Sequence, residues 1–213
     1  MNSLIIIGAG GHGKVAADIA VKLGYSDIKF LDDLRHGEYC LGFPIIGSTS
    51  DASKYQTSEF FVAVGDSKRR ELIMKDLDRL GLHVINLIHP SSVIGSDVSI
   101  GKGTIVMAGA IINSGTRIGN GVIINTSASV DHDNKIGNYS HVSVGAHLAG
   151  SVTIGKSCWI GIGSVISNNL SICNNCYLGA SSLVVKNLSE PGIYYGAPCL
   201  KKEKKNEDTY TGE

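Results

Sequence analysis

From residue 94 onward every sixth position is aliphatic: Ile94, Ile100, Val106, Ile112, Ile118, Ile124, Val130, Ile136, Val142, Leu148, Ile154, Ile160, Ile166, Ile172, Leu178 and Val184, sixteen positions in one unbroken register. The residue two places earlier is small or apolar nearly throughout, from Val98 and Thr104 to Cys158 and Ser164, with Asn134 the main polar exception. A period of six fits neither an α-helix nor an alternating strand. It fits a parallel β-helix of hexapeptide repeats, in which one hexad forms a flat side and three complete a coil. Gly101, Gly119, Gly137 and Gly155 recur every third hexad, at corners where a side chain is unfavourable, and so support three-sidedness. The hexads make a little over five coils, a prism about 25 Å long at the usual strand spacing.

Residues 1–88 follow a different pattern. "SLIII" (3–7), "IKFLDD" (28–33), "EFFVAVGD" (59–66) and "HVINLI" (83–88) read as strands. "GKVAADIAVKLG" (13–24) and "SKRRELIMKDLDRLGL" (67–82) read as helices, the second with Leu72, Ile73, Leu77 and Leu80 as its apolar stripe. Strands joined by helices predict a small parallel sheet, about half of a full dinucleotide domain. Beyond Val184, "KNLSEPGIYYGAPCLKK" breaks the repeat and reads as a cap over the last coil; the polar tail from 201 to 213 is expected to be disordered.

Open parallel sheets bind ligands at the carboxyl ends of their strands. Three such ends stand out: Gly8–Gly13, spaced G-x-G-x-x-G, then Asp32–Asp33, then Gly65–Asp66. The glycines let backbone approach a phosphate at a helix N-terminus, and either aspartate can accept from a ribose hydroxyl or a uracil N–H. An NAD-dependent oxidoreductase uses the same spacing, with an acid about twenty residues after the glycines. Against that reading, the half that would hold nicotinamide is missing, and a β-helix supplies no domain for hydride transfer.

Charge balances at 19 basic and 19 acidic residues, so nothing favours nucleic acid or an anionic membrane. No apolar stretch approaches a membrane span and no basic leader is visible, so a cytoplasmic location is expected. Five cysteines, odd in number and irregularly spaced, suit reduced thiols. "CNNC" (173–176) has C-x-x-C spacing, but no second pair completes a zinc site.

Among the seven histidines, His132 in "VDHDN" is the best-equipped base, because Asp131 and Asp133 flank it and a neighbouring carboxylate raises imidazole basicity. Gly150 lies one coil later, where its N–H could face the chemistry of His132 as an oxyanion donor. His132, His141 and His147 fall within one coil with no histidine a coil above or below, which argues against a zinc lyase. A non-catalytic scaffold explains the repeat but not the acidic setting of His132.

"GAGGHGK", "FLDD", "NLIHPSSVIG", "NTSASVDHDNKIGNYSHVSVGAHLAGSVTIGK" and "YYGAPCLK" resemble the sialic-acid O-acetyltransferase family of bacterial sugar acyltransferases, and within it the nucleotide-linked 4-amino-sugar N-acetyltransferases. The resemblance implies a Rossmann-like nucleotide-sugar-binding domain over 1–88 and a left-handed β-helix acyltransferase domain over 89–200. It also implies a homotrimer with active sites between subunits, and acetyl-CoA as co-substrate without a metal. By motif position the family's catalytic histidine and following acid fall on His132 and Asp133. Its nucleotide-sugar contacts fall on Gly10, Gly11, His12, Asp32, Asp33 and Gly65, and its acetyl-CoA contacts on His141, Ile162 and Ala180. Asn125, which opens "NTSASVDHD", is a further candidate near the acceptor. "GAPCLK" departs from the family's usual G-x-P-A-K ending. The expected activity is N-acetylation of a UDP-linked 4-amino-4,6-dideoxy sugar, with O-acetylation of sialic acid the alternative.

Overall fold

The computed structural model describes residues 3–202. Of the tail expected from 201, Lys201 ends a strand, and residues 203–213 lie outside the described residues.

The N-terminal half is a sheet of six strands, β1 (Leu4–Ile7), β2 (Ile28–Leu31), β3 (Tyr39–Cys40), β4 (Phe43–Gly47), β5 (Glu59–Val62) and β6 (His83–Val84), in the order β3-β4-β2-β1-β5-β6. All neighbours are parallel except β3, which pairs antiparallel with β4. Helix α1 (Gly11–Lys22) covers one face with Ala16, Ala17, Ile19 and Ala20. Its small side chains let it lie close to β1. At Gly13 a Cβ would overlap the Gly8 carbonyl oxygen, so this glycine is there for helix–strand packing, as in dinucleotide folds. Helix α2 (Ser67–Arg79) is capped by Asp66, whose carboxylate accepts from Arg69 N–H at 2.7 Å.

The apolar stripe expected on α2 is corrected. Leu72 and Leu80 are exposed, whereas Arg70, Ile73, Met74 and Leu77 are buried. The true stripe keeps the i, i+3, i+4, i+7 spacing but begins with an arginine, which a search for apolar residues passes over. The single strand expected over 83–88 is also corrected. His83–Val84 joins β5, while Leu87–Ile88 pairs with Ile105–Val106 and is the first rung of the second half.

That second half is the three-sided parallel β-helix. Face one stacks Leu87–Ile88, Ile105–Val106, Ile123–Ile124, His141–Val142, Trp159–Ile160 and Cys176–Leu178. Face two stacks Val93–Ile94, Ile111–Ile112, Ser129–Val130, His147–Leu148, Val165–Ile166 and Leu183–Val184. Face three stacks Ser99–Ile100, Arg117–Ile118, Lys135–Ile136, Thr153–Ile154 and Ser171–Ile172. Each rung pairs with the one eighteen residues on, as in Ile123↔His141 and Ser129↔His147. The aliphatic column points inward, essentially buried from Val106 to Val184; only Ile94 and Ile100, at the open end, see solvent. Truncating one of these isoleucines to alanine costs about 2–5 kcal/mol in such a core.

The glycines at 101, 119, 137 and 155 stand where coils crowd one another: at Gly137 a Cβ would lie 2.5 Å from Gly155 C. The left-handed backbone of the corners falls elsewhere, at residues such as Gly121, Asp133 and Tyr139. At the far end Gly192–Gly196 extends face one and turns back through Cys199–Lys201, while Leu188 and Tyr194 close the core. The first three rungs of face one present Leu87, Ile105 and Ile123 to α1 and β1, in one core with Ala9, Ala16 and Phe30. The two halves thus share buried apolar surface.

Candidate active site

His132 stands at the corner between faces two and three. Asp133 there adopts φ +57°, which swings its carboxylate back beside the ring: His132 Nδ1 and Asp133 Oδ2 are 2.8 Å apart. Nδ1–H therefore donates to the carboxylate and Nε2 keeps its lone pair. Asp131 accepts from His132 N–H at 2.8 Å and from Asn113 Nδ2 at 2.7 Å, and the Asn113 bond is the main reason its pKa is low. The bond to Asp133, chiefly, raises the His132 pKa above its ordinary value, and the two carboxylate charges add to it. Beneath this corner lies Asn134, the exception in the small-residue column. It is fully buried and its Nδ2 donates to Asp131 O (2.7 Å) and Ala149 O (2.9 Å), tying the turn of one coil to the next. A buried carbonyl left without such a donor costs about 1–3 kcal/mol.

Gly150 lies directly under the imidazole: a Cβ there would be 2.5 Å from His132 Nε2. Among the described residues Gly150 N–H has no acceptor. Glycine makes room for the ring and leaves a backbone donor unspent beside Nε2.

The strand ends of the N-terminal sheet form a crevice against face one. Gly10 is the N-cap of α1, and a Cβ at Gly10 or Gly11 would meet no atom within 4 Å, so both backbones are open to a ligand. Asp32 is engaged within the chain, accepting from Ala9 N–H (2.8 Å) and Leu34 N–H (2.9 Å). Asp33 accepts from Thr49 N–H (2.8 Å) and pairs with Arg69 (2.7 Å), the backbone bond being the main reason its pKa is low. The Asp32–Ala9 bond joins the second strand end to the glycine loop.

Across the crevice stands His141, with 8 % of its surface exposed. Asn125 Oδ1 accepts from Thr126 N–H (2.8 Å), which aims Asn125 Nδ2 at His141 Nε2, 2.9 Å away. His141 therefore carries its proton on Nδ1, a buried atom without a partner among the described residues, like Nε2 of His12. Burial, with His12 and Arg70 nearby, lowers the His141 pKa to about 3; burial and Arg70 lower that of His12 to about 4. Both rings are neutral at physiological pH. The crevice continues into a cavity of about 440 Å³ lined by Gly65, Lys68, His141, Trp159 and Tyr177, with the Trp159 and Tyr177 rings stacked 5.8 Å apart.

The structure brings His12, Asn125 and His141 together with the glycine loop, but it does not bring His132 to them. Asn125 turns the corner between faces one and two, and His132 the next corner of the same coil. One side of the prism, about 15–20 Å, separates them. Ile162 and Ala180 project outward along the edge of Asn125, both exposed, and His141 stands behind that line rather than on it.

Residues 3–77 match the PglD N-terminal domain. The acetyltransferase domain of PglB from Neisseria gonorrhoeae, also solved with acetyl coenzyme A, is 36% identical and superposes with a TM-score of 0.90 over 95% of this chain and 100% of that one. The chain belongs to the 4-amino-sugar N-acetyltransferase family. PerB from Caulobacter crescentus, solved with CoA and GDP-perosamine, has a TM-score of 0.90 and 32% identity over 95% of this chain and 98% of that one. The UDP-N-acetylbacillosamine N-acetyltransferase of Bacillus subtilis is 34% identical over 118 residues, 51% of this chain and 52% of that protein. The chain spans about half the length of that curated relative and a smaller share of another. The hexapeptide fold of this family of acetyltransferases is the left-handed β-helix expected from the sequence.

Among the described residues no helix is long and apolar enough to cross a membrane, and no cluster of three or more His, Cys, Asp or Glu side chains is placed to hold a metal ion. The roles of Asn134 and Arg70 escaped the sequence reading, although each carried a signal: one polar residue in an inward column, and one arginine in register with a helix stripe.

Proposed function

We propose that the protein is an acetyl-CoA-dependent N-acetyltransferase acting on the 4-amino group of a nucleotide-linked 4-amino-4,6-dideoxy sugar, with UDP as the nucleotide. The observation that carries this reading is the His132–Asp133 pair, whose free Nε2 lies over Gly150. His132 Nε2 takes a proton from the sugar amine as its nitrogen attacks the thioester carbon. Gly150 N–H donates to the oxyanion of the tetrahedral intermediate, which collapses to the amide and expels the CoA thiolate; that sulfur takes the proton from the imidazolium. Asp133 keeps Nδ1 protonated and the ring basic.

Gly10, Gly11, His12 and Gly65 hold the nucleotide diphosphate at the strand ends, with Asp32 and Asp33 toward the nucleoside. Asn125 stands beside the acceptor. Ile162 and Ala180 take the pantetheine arm, with His141 behind them. UDP is supported by the Bacillus subtilis relative, named for a UDP sugar and 34% identical over 118 residues, and the GDP arm of the test below separates it from the GDP-perosamine reading that PerB offers at 32% identity over 95% of this chain.

The separation of His132 from the crevice supports a homotrimer, in which the His132 edge of one chain meets the Asn125 edge of the next. This arrangement turns face two inward, and that face exposes Val93, Ile111 and Val165. Both substrates, and five cysteines that are all free thiols, favour the cytoplasm.

The test is CoA thiol release with UDP- and GDP-linked 4-amino-4,6-dideoxy sugars and free sialic acid as acceptors. Release only with an amino sugar, fastest with the UDP form, is expected; acceptor-independent release, or turnover of sialic acid alone, overturns the reading. Gly150→Ala gives a sharper check on the geometry. The exposed ring can swing away from the new methyl, so the melting temperature is expected to stay within about 2 °C of wild type. The displaced base lowers kcat about 100-fold.

A further inference from the structure

We propose that Arg70 is a positioning residue, which fixes the acceptor crevice by tying the loop after β5 to two successive coils of the β-helix. The proposal rests on the acetyltransferase reading above. Arg70 is 1% exposed, and among the described residues no carboxylate forms an ion pair with it. Its partners are four backbone carbonyls. Nη1 donates to Val64 O (2.7 Å) and Gly65 O (2.8 Å), Nε to Gly121 O (2.8 Å) and Nη2 to Tyr139 O (2.8 Å).

The first two carbonyls belong to the strand end that borders the crevice. The other two belong to equivalent corners one coil apart. A planar guanidinium presents five donors in a fixed fork, so one side chain can hold both sets at once; a lysine ammonium, with all its donors on one nitrogen, cannot span them. Packing alone does not call for a charge here, since an apolar side chain of similar volume fills a buried site as well or better. What the guanidinium adds is registration. It sets Gly65 against face one at the level of Tyr139 and His141, where the cavity opens. The neutrality of His12 and His141, to which Arg70 contributes after burial, agrees with this placement.

Steady-state kinetics of the full-length protein test the proposal, with the nucleotide amino sugar and acetyl-CoA varied separately in Arg70→Met and Arg70→Lys. The expected result in a folded variant is a KM for the amino sugar raised about tenfold or more, with the KM for acetyl-CoA within about twofold of wild type and kcat within about threefold. Acetyl-CoA is spared because Ile162 and Ala180 lie on an edge that Arg70 does not touch. Should Arg70→Met fail to fold, Arg70→Lys decides, since it keeps the charge and most of the volume. Unchanged KM values in a folded variant, an equal rise for both substrates, or a loss in kcat alone overturns the proposal. A wild-type protein that acetylates no nucleotide sugar overturns the functional reading, and the proposal with it.

Discussion

Replacing His132 by alanine is expected to lower kcat by about 10²- to 10⁴-fold, the usual contribution of a positioned general base, while the fold stays intact. The side chain is 58% exposed and its one side-chain partner is the exposed Asp133, so its removal opens no cavity and leaves no buried group unpaired. Thiol release measured beside a melting curve separates the two effects. Full activity in this variant would sink the mechanism. The pH profile adds a second constraint. In the proposed mechanism the base works neutral, so kcat/KM is expected to rise with pH through the His132 pKa, which Asp133 holds above the ordinary 6.5. In Asp133→Asn that support is lost, the limb moves to lower pH, and the plateau falls because a weaker base accepts the amine proton less readily. A limb that stays in place would show that another group titrates.

The repeat was legible because a period of six has few structural solutions and ran without insertion through sixteen hexads. His132 and Asp133 were legible because adjacent residues at a corner can touch without help from the rest of the fold. The split of residues 83–88 was not legible. An apolar run says that a segment is buried but not in which sheet, and a single Asn86 inside "HVINLI" is too weak a turn signal to mark the change. Arg70 was hidden for a related reason: its burial depends on four carbonyls from segments up to 69 residues away, none visible in the helix itself. The placement of the candidate residues over two corners was implicit in the period. Asn125 and His132 are seven residues apart, so on an eighteen-residue coil they cannot share an edge, whereas His132 and Gly150 must.

That placement yields the second large effect. Mixing two inactive variants, His132→Ala and Gly10→Glu, is expected to restore activity. Gly10 is exposed and a Cβ there meets nothing, so glutamate leaves the fold intact. Its carboxylate sits at the N-terminus of α1, where the nucleotide diphosphate would lie, and like-charge repulsion of a few kcal/mol weakens binding about 100-fold. Alone, each variant lacks one half of every site. In a trimer whose sites pair the His132 edge of one chain with the crevice of the next, any mixed trimer holds one junction with both halves intact. Each mixed trimer has one working junction of three, and purification through both tags keeps only mixed trimers, so about a third of the wild-type rate returns. The measurement is thiol release from co-expressed, differently tagged variants purified through both tags in sequence. If both halves of a site came from one chain, no mixture could exceed its more active parent, and that result would remove the shared site along with the trimer that depends on it.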